Sequence, residues 1–237
     1  GGGDGNAIIG LVGFIVGIFV GTLFLKKGFT LKKSQPQAKI EGALMPAVSV
    51  ALLVLVCAAP AFIFFSESGP GSMRAPLAMA LVAGLVVGAL AQRSRLCMVG
   101  GIRDAMMFKD WHLLMGFAAI FVAVLIGNLI VGAFNPGFAG QPVAHTDGVW
   151  NFLGMALVGL GSVLLGGCPL RQLILAGSGN SDSSMAVLGM VVGAAFCHNF
   201  GLASSADGPT FNGKVAVIIG LIVVAALGGF SLNRKKA

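Results

Sequence analysis

The chain has 237 residues, 57% of them hydrophobic and 10% charged, with a mean hydropathy of +0.95. Soluble domains carry about 25% charged residues, so this composition excludes a soluble enzyme or binding module and places the chain in a lipid bilayer. The formal charge of +7 then reports orientation in the bilayer and not nucleic-acid binding, because Lys and Arg collect in cytoplasmic loops.

In chain order, apolar windows lie near 7–25, 43–65, 75–92, 112–133, 149–166, 184–200 and 213–231. Each approaches or reaches the roughly 20 residues needed to cross a hydrocarbon core as a helix. Period-two alternation is missing, and only helices or closed barrels satisfy every backbone polar group in lipid. The expected fold class is an all-α integral membrane protein, a polytopic helical bundle. With the loop 26–42 in the cytoplasm and each window crossing once, the 15 Lys and Arg residues all fall inside except Arg74 and Lys214. That reading makes the C-terminus cytoplasmic and the 135–148 loop, which has no Lys or Arg, external.

The opening Gly1-Gly-Gly-Asp4-Gly-Asn6 has a gap-free counterpart in Gly177-Ser-Gly-Asn180-Ser-Asp182. Gly1, Gly3, Gly13 and Gly17 fall over Gly177, Gly179, Gly189 and Gly193. Under the charge reading the following spans cross in opposite directions, the inverted repeat that many transporters show. The second copy is preceded by a cysteine-bearing break that the first lacks. The chain is therefore expected to be one transmembrane domain over 1–237, the C-terminal portion of a longer inverted-repeat transporter, with its second repeat at roughly 75–237.

Two breaks carry the chemistry. The first reads Arg93-Ser-Arg95-Leu-Cys97-Met98-Val-Gly100-Gly101-Ile-Arg103-Asp104. The second reads Gly166-Gly167-Cys168-Pro169-Leu-Arg171-Gln172. Pro169 suits the first turn of a helix, where its missing N–H would be unpaired anyway. Short helices over 97–108 and 168–176, with a turn at 177–182, are too short to span. Re-entrant backbone of this kind is tolerated only where protein covers it or it lines a cavity. Cys168 at a helix N-terminus would face unpaired N–H groups that favour negative charge, with Arg171 one turn on as a fork for an oxyanion. Arg103 and Asp104 read either as groups lining a path or as a pair that locks two helices. Arg93, Arg95 and Lys109 read as cytoplasmic anchors. Cys57 reads as an inert apolar residue, and Cys197 as a lesser thiol beside His198 and Asn199. Glycines such as Gly13, Gly17, Gly84 and Gly88 read as close-packing positions between membrane helices.

The four cysteines and three histidines match no zinc spacing, and no cofactor and no metal are expected. The candidate solute-binding set is Cys97, Cys168, Arg171, Gln172, Arg103, Met98 and Gly167. Thiols are weak, polarisable donors, suited to a soft sulfur or selenium atom.

On the segments Arg95-Leu-Cys97-Met98, Gly100-Gly-Ile-Arg103-Asp104 and Gly166-Gly-Cys168-Pro-Leu-Arg171-Gln172, the chain resembles the YeeE/YedE family of sulfur-transporting membrane proteins. The glycine-rich turns at 1–6 and 177–182 are closest to its selenium-associated YedE branch. The resemblance implies a multi-pass importer of the bacterial inner membrane, built from inverted repeats. Its short helices would carry Cys97 and Cys168 to the membrane centre, where thiols pass a sulfur- or selenium-containing anion such as thiosulfate without consuming it. The implied partners are that solute, the lipid bilayer, a small cytoplasmic sulfur-carrier protein and the N-terminal portion outside this chain; nucleic acid is not among them. The alternatives from other classes are a membrane thiol-disulfide oxidoreductase, for which the chain has no CxxC, and a structural subunit of a larger complex.

Overall fold

The computed structural model describes residues 2–30, 39–58, 74–141, 145–205 and 207–233. Within them the chain forms nine helices: α1 (Gly5–Lys26), α2 (Lys39–Ala58), α3 (Leu77–Ser94), α4 (Met98–Phe108), α5 (His112–Val131), α6 (Gly148–Leu165), α7 (Pro169–Gly177), α8 (Ser181–Asn199) and α9 (Phe211–Asn233). Five segments among the described residues are long and apolar enough to cross a membrane: α1, α5, α9, and the stretches Leu77–Phe108 and Gly148–Gly177 that contain α3 and α6. The protein is an all-α, polytopic membrane protein. The expected window at 43–65 meets α2 as far as Ala58, and its remainder lies outside the described residues. The helix expected at 184–200 forms as α8 but is not among the five. Ser181, Asp182, Ser183 and Ser184 at one end and His198 and Asn199 at the other dilute its apolar middle.

The chain divides into two compact units, Gly1–Lys33 with Cys97–Cys168 and Met190–Ala237, and Ser34–Leu96 with Pro169–Gly189. In the first, α1 and α6 form the main helix pair and run in parallel. Gly13 meets the backbone of Phe152, Gly17 that of Ala156, and Gly21 the side chain of Val163. Gly159 of α6 reciprocates against the Phe14 carbonyl. Lipid tails are as apolar as leucine, so helices associate in a membrane through close packing, and small residues permit it. The α1 sequence supplies a glycine at every turn of that face. The third parallel helix, α9, packs Gly220 against Leu157 and Gly228 against Phe24. Short α4 lies on α5, with Gly101 against the backbone of Leu113 and Leu114. None of the residues of α5 is buried, as suits a helix facing lipid.

In the second unit, the glycine turn at Gly179 meets Gly42 of α2 backbone to backbone; a methyl on Gly179 would stand 2.8 Å from the Gly42 carbonyl oxygen.

The two glycine turns that align in sequence also share a local structure. Gly3 and Gly179 have φ of 94° and 89°, a left-handed conformation that glycine adopts without steric cost. Each is followed by a side-chain cap: Asp4 Oδ1 accepts from the Asn6 and Ala7 amides at 2.8 and 3.4 Å, and Asn180 Oδ1 accepts from Ser183 N at 2.9 Å. Helices α1 and α8 start at the same register behind these caps. Asp4→Ala and Asn180→Ala are each expected to lower stability by about 1 kcal/mol, the usual worth of an N-cap. Thermal unfolding of detergent-solubilised protein checks this; unchanged midpoints for both variants would mean that the caps are not formed in solution.

Candidate solute site

Both breaks fall where the glycines, arginines and proline of the sequence place them. Helix α3 ends at Arg95, which is left-handed with φ of 53°, and Cys97 (φ −154°, ψ 109°) then stands as N-cap of α4. Helix α6 ends at Gly166 with φ of 89°, Gly166 and Gly167 donating back to the Val163 and Ser162 carbonyls at 3.1 and 3.0 Å. Cys168 directly precedes Pro169, the first residue of α7. At 1.5 Å per residue, α4 and α7 are about 16 and 14 Å long, roughly half a hydrocarbon core.

Those caps give the two sulfurs their setting. The Cys97 sulfur accepts from the Gly100 amide at 3.3 Å, taking the part that a Ser, Thr or Asp oxygen usually plays at a helix start. The Cys97 and Cys168 side chains lie within hydrogen-bonding reach of each other. Both cysteines are buried, and they belong to one packed cluster with Phe14, Ile18, Val99, Ile102 and Val163. The walls around the thiol pair are therefore apolar, built from α1, α4 and α6. Phe14 and Ile18 come from the middle turns of α1.

The other expected residues divide between the units. Met98 packs against the thiol cluster, and Gly167 is buried beside Cys168. Arg103 is held by its neighbour, Nε to Asp104 Oδ1 at 2.8 Å, both side chains partly buried. This is the pairing reading of that dipeptide, within α4 and not between helices. Arg171 and Gln172 belong to the second unit. There Arg171 Nη1 donates to Gln92 Oε1 at 3.4 Å, and Gln92 Nε2 donates to Ser178 Oγ at 3.2 Å. Gln172 is buried on α7. Sequence reasoning missed Gln92, although a lone amide at the end of an apolar span was its available signal. Cys57 is exposed on α2, and Cys197 is half-buried.

A protein-family profile described as sulphur transport matches residues 93–219, a stretch that contains both cysteine breaks. The chain is similar to the thiosulfate transporter TsuA of Spirochaeta thermophila, 32% identical over 114 residues, which is 48% of this chain and 34% of that protein. It is similar to the thiosulfate transporter TsuA of Escherichia coli, 32% identical over 116 residues, which is 47% of this chain and 31% of that protein. The matched stretch thus spans about a third of the length of these curated relatives. No solved structure matches the chain.

Proposed function

The chain belongs to the sulphur transport (YeeE/YedE) family, and from that premise we propose that it takes part in uptake of a small sulfur-containing anion, thiosulfate first among the candidates, across a bacterial inner membrane. The observation that carries this reading is the buried contact between Cys97 and Cys168, each at the start of a helix too short to span. An anion does not cross hydrocarbon unaided, so it needs donors placed in advance. Those donors must also release it, because conduction fails when binding is too tight. Two thiols meet both demands: S–H is a weak donor, and sulfur is polarisable enough to face another sulfur or a selenium atom. The amides at the N-terminus of α4 add partial positive charge. Arg171 and Gln172, three and four residues after Cys168 in the sequence, are proposed as further donors from that spacing alone. Met98 and Gly167 complete the proposed lining, and Arg103 with Asp104 is a neutralised pair at its edge. No step in this scheme breaks a bond in the solute. The role is transport and not catalysis, and a selenium-containing analogue and a small sulfur-carrier protein that receives the solute remain part of the proposal.

The test is uptake of radiolabelled thiosulfate by bacteria lacking their own thiosulfate uptake and expressing the protein. Accumulation above the empty-vector level is the expected outcome; none, with the protein present in the membrane, contradicts the reading.

The same contact favours one second reading, in which Cys97 and Cys168 cycle between dithiol and disulfide. Both sulfurs are buried in an apolar cluster, which shields them from a protein thiol partner and weighs against that reading. Alkylation with and without prior reduction separates the two. A pair that stays reduced during turnover fits transport, and a disulfide that forms in step with it fits the oxidoreductase.

A further inference from the structure

At the far end of α6 from the cysteines, the first unit holds a pocket of about 200 Å³. Its walls include His145, Trp150, Asn151, Ser204 and Lys214. Trp150 and Asn151 lie in the first turn of α6, and Gly213 and Lys214 in the first turn of α9, so two helix N-termini converge on it. Trp150 stands about 20 Å along α6 from Val163 of the thiol cluster, which makes this a separate place.

Two groups there lack the partners that their positions would ordinarily have, and a third is loosely held. His145 is 93% buried, counted from its 7% exposure, and among the described residues its Nδ1 has no hydrogen-bond partner. Its backbone is held, since Asn151 Nδ2 donates to the His145 carbonyl at 2.8 Å, and the residue lines the pocket. Asp147 occupies the N-cap position of α6 but makes no capping bond, leaving the first amides of that helix without a side-chain acceptor. Its carboxylate instead faces Lys214, Oδ2 to Nζ at 3.9 Å, a loose ion pair. The Lys214 ammonium also lies 5.5 Å from the centre of the Trp150 ring. An unsatisfied imidazole nitrogen, free helix-start amides and a loosely held ammonium together describe a receptor that waits for an acceptor-rich guest.

We propose that this cavity is a waiting site for a small oxyanion, where the solute displaces Asp147 from Lys214 before moving on. The identification of the guest with the transported anion rests on the uptake reading above. Asp147 is the releasing element: it competes for Lys214, keeps the affinity low and returns the lysine to its ion pair when the anion leaves. On the charge reading of the loops, Lys214 is one of two basic residues on the outer side, where an incoming anion is first met. Lys214→Gln should therefore weaken binding and Asp147→Asn should strengthen it. A purely structural ion pair would make both variants equally indifferent to the anion.

The test uses the full protein carrying Trp111→Phe, which leaves Trp150 as the chain's single tryptophan. Thiosulfate, with sulfate as a second probe, is titrated against Trp150 fluorescence in detergent or nanodiscs. A saturable change is expected. Lys214→Gln should raise the midpoint at least about tenfold, as loss of a charged hydrogen-bond donor does. Lys214→Arg, which keeps the charge, should preserve the response even if the glutamine variant folds poorly. Asp147→Asn should lower the midpoint. Cys97→Ala and Cys168→Ala should leave the titration intact, so failure of the thiol mechanism registers in uptake alone. The absence of any saturable change, or equal midpoints for the Lys214→Gln, Asp147→Asn and parent proteins, overturns the proposal.

Discussion

Replacing Cys97 or Cys168 by alanine is expected to reduce thiosulfate uptake to background while leaving the protein folded in the membrane. Each sulfur is the polar end of a small side chain in an otherwise apolar cluster, so each substitution takes away one of the two thiols of that cluster. The structural cost is modest, since the neighbours Val99, Ile102 and Val163 are held by their own helices. Gly100 loses its sulfur acceptor in Cys97→Ala, at about 1 kcal/mol for a cap. Cys57→Ala, on the exposed side of α2, should transport as the parent does. Uptake rates normalised to the amount of protein in the membrane decide the matter. Parental rates in either alanine variant would remove the thiols from the mechanism.

The second large effect belongs to the fold. Gly17→Val should disrupt the α1–α6 pair, because even the first carbon of a side chain at Gly17 would fall inside the backbone of Ala156. Lipid offers no hydrophobic compensation for a lost helix contact, and the helices must part. A cost of about 3 kcal/mol, the upper range for overpacking, should appear as poor recovery of monodisperse protein and a lowered unfolding temperature. Gly84→Val, on α3 where nothing lies within 4 Å, is the matched control and should behave as the parent. Equal behaviour of the two valine variants would mean that α1 and α6 do not pack as described.

The contrast between Gly17 and Gly84 also marks how far a sequence can be read. Both are glycines in apolar spans, and both looked like packing positions; the difference is the helix opposite. The breaks at Arg95–Cys97 and Gly166–Cys168 were legible because their causes are local: a run of arginines, paired glycines, a proline at a helix start. The helix starts behind Gly3-Asp4 and Gly179-Asn180 were legible for the same reason, and the structure adds matching φ angles and caps. Partners distant in sequence were not legible. Nothing near Arg171 announces Gln92, and nothing near Gly13 announces Phe152. His145 looked like an ordinary loop histidine, because the residues that share its pocket, among them Leu202, Ser204 and Lys214, lie far along the chain. The meeting of Cys97 with Cys168 was an implication of the family resemblance, and in the structure both belong to the cluster packed from α1, α4 and α6.

The most direct measurement for the account as a whole is the initial rate of thiosulfate uptake in Cys97→Ser and Cys168→Ser. Serine keeps the size and the hydrogen-bonding capacity of cysteine and removes only the softness of sulfur. The account predicts that both variants reach the membrane at parental levels and transport at a small fraction of the parental rate. Parental uptake in both would show that any small donor suffices at these positions, and would contradict a path built on thiol-to-sulfur contact.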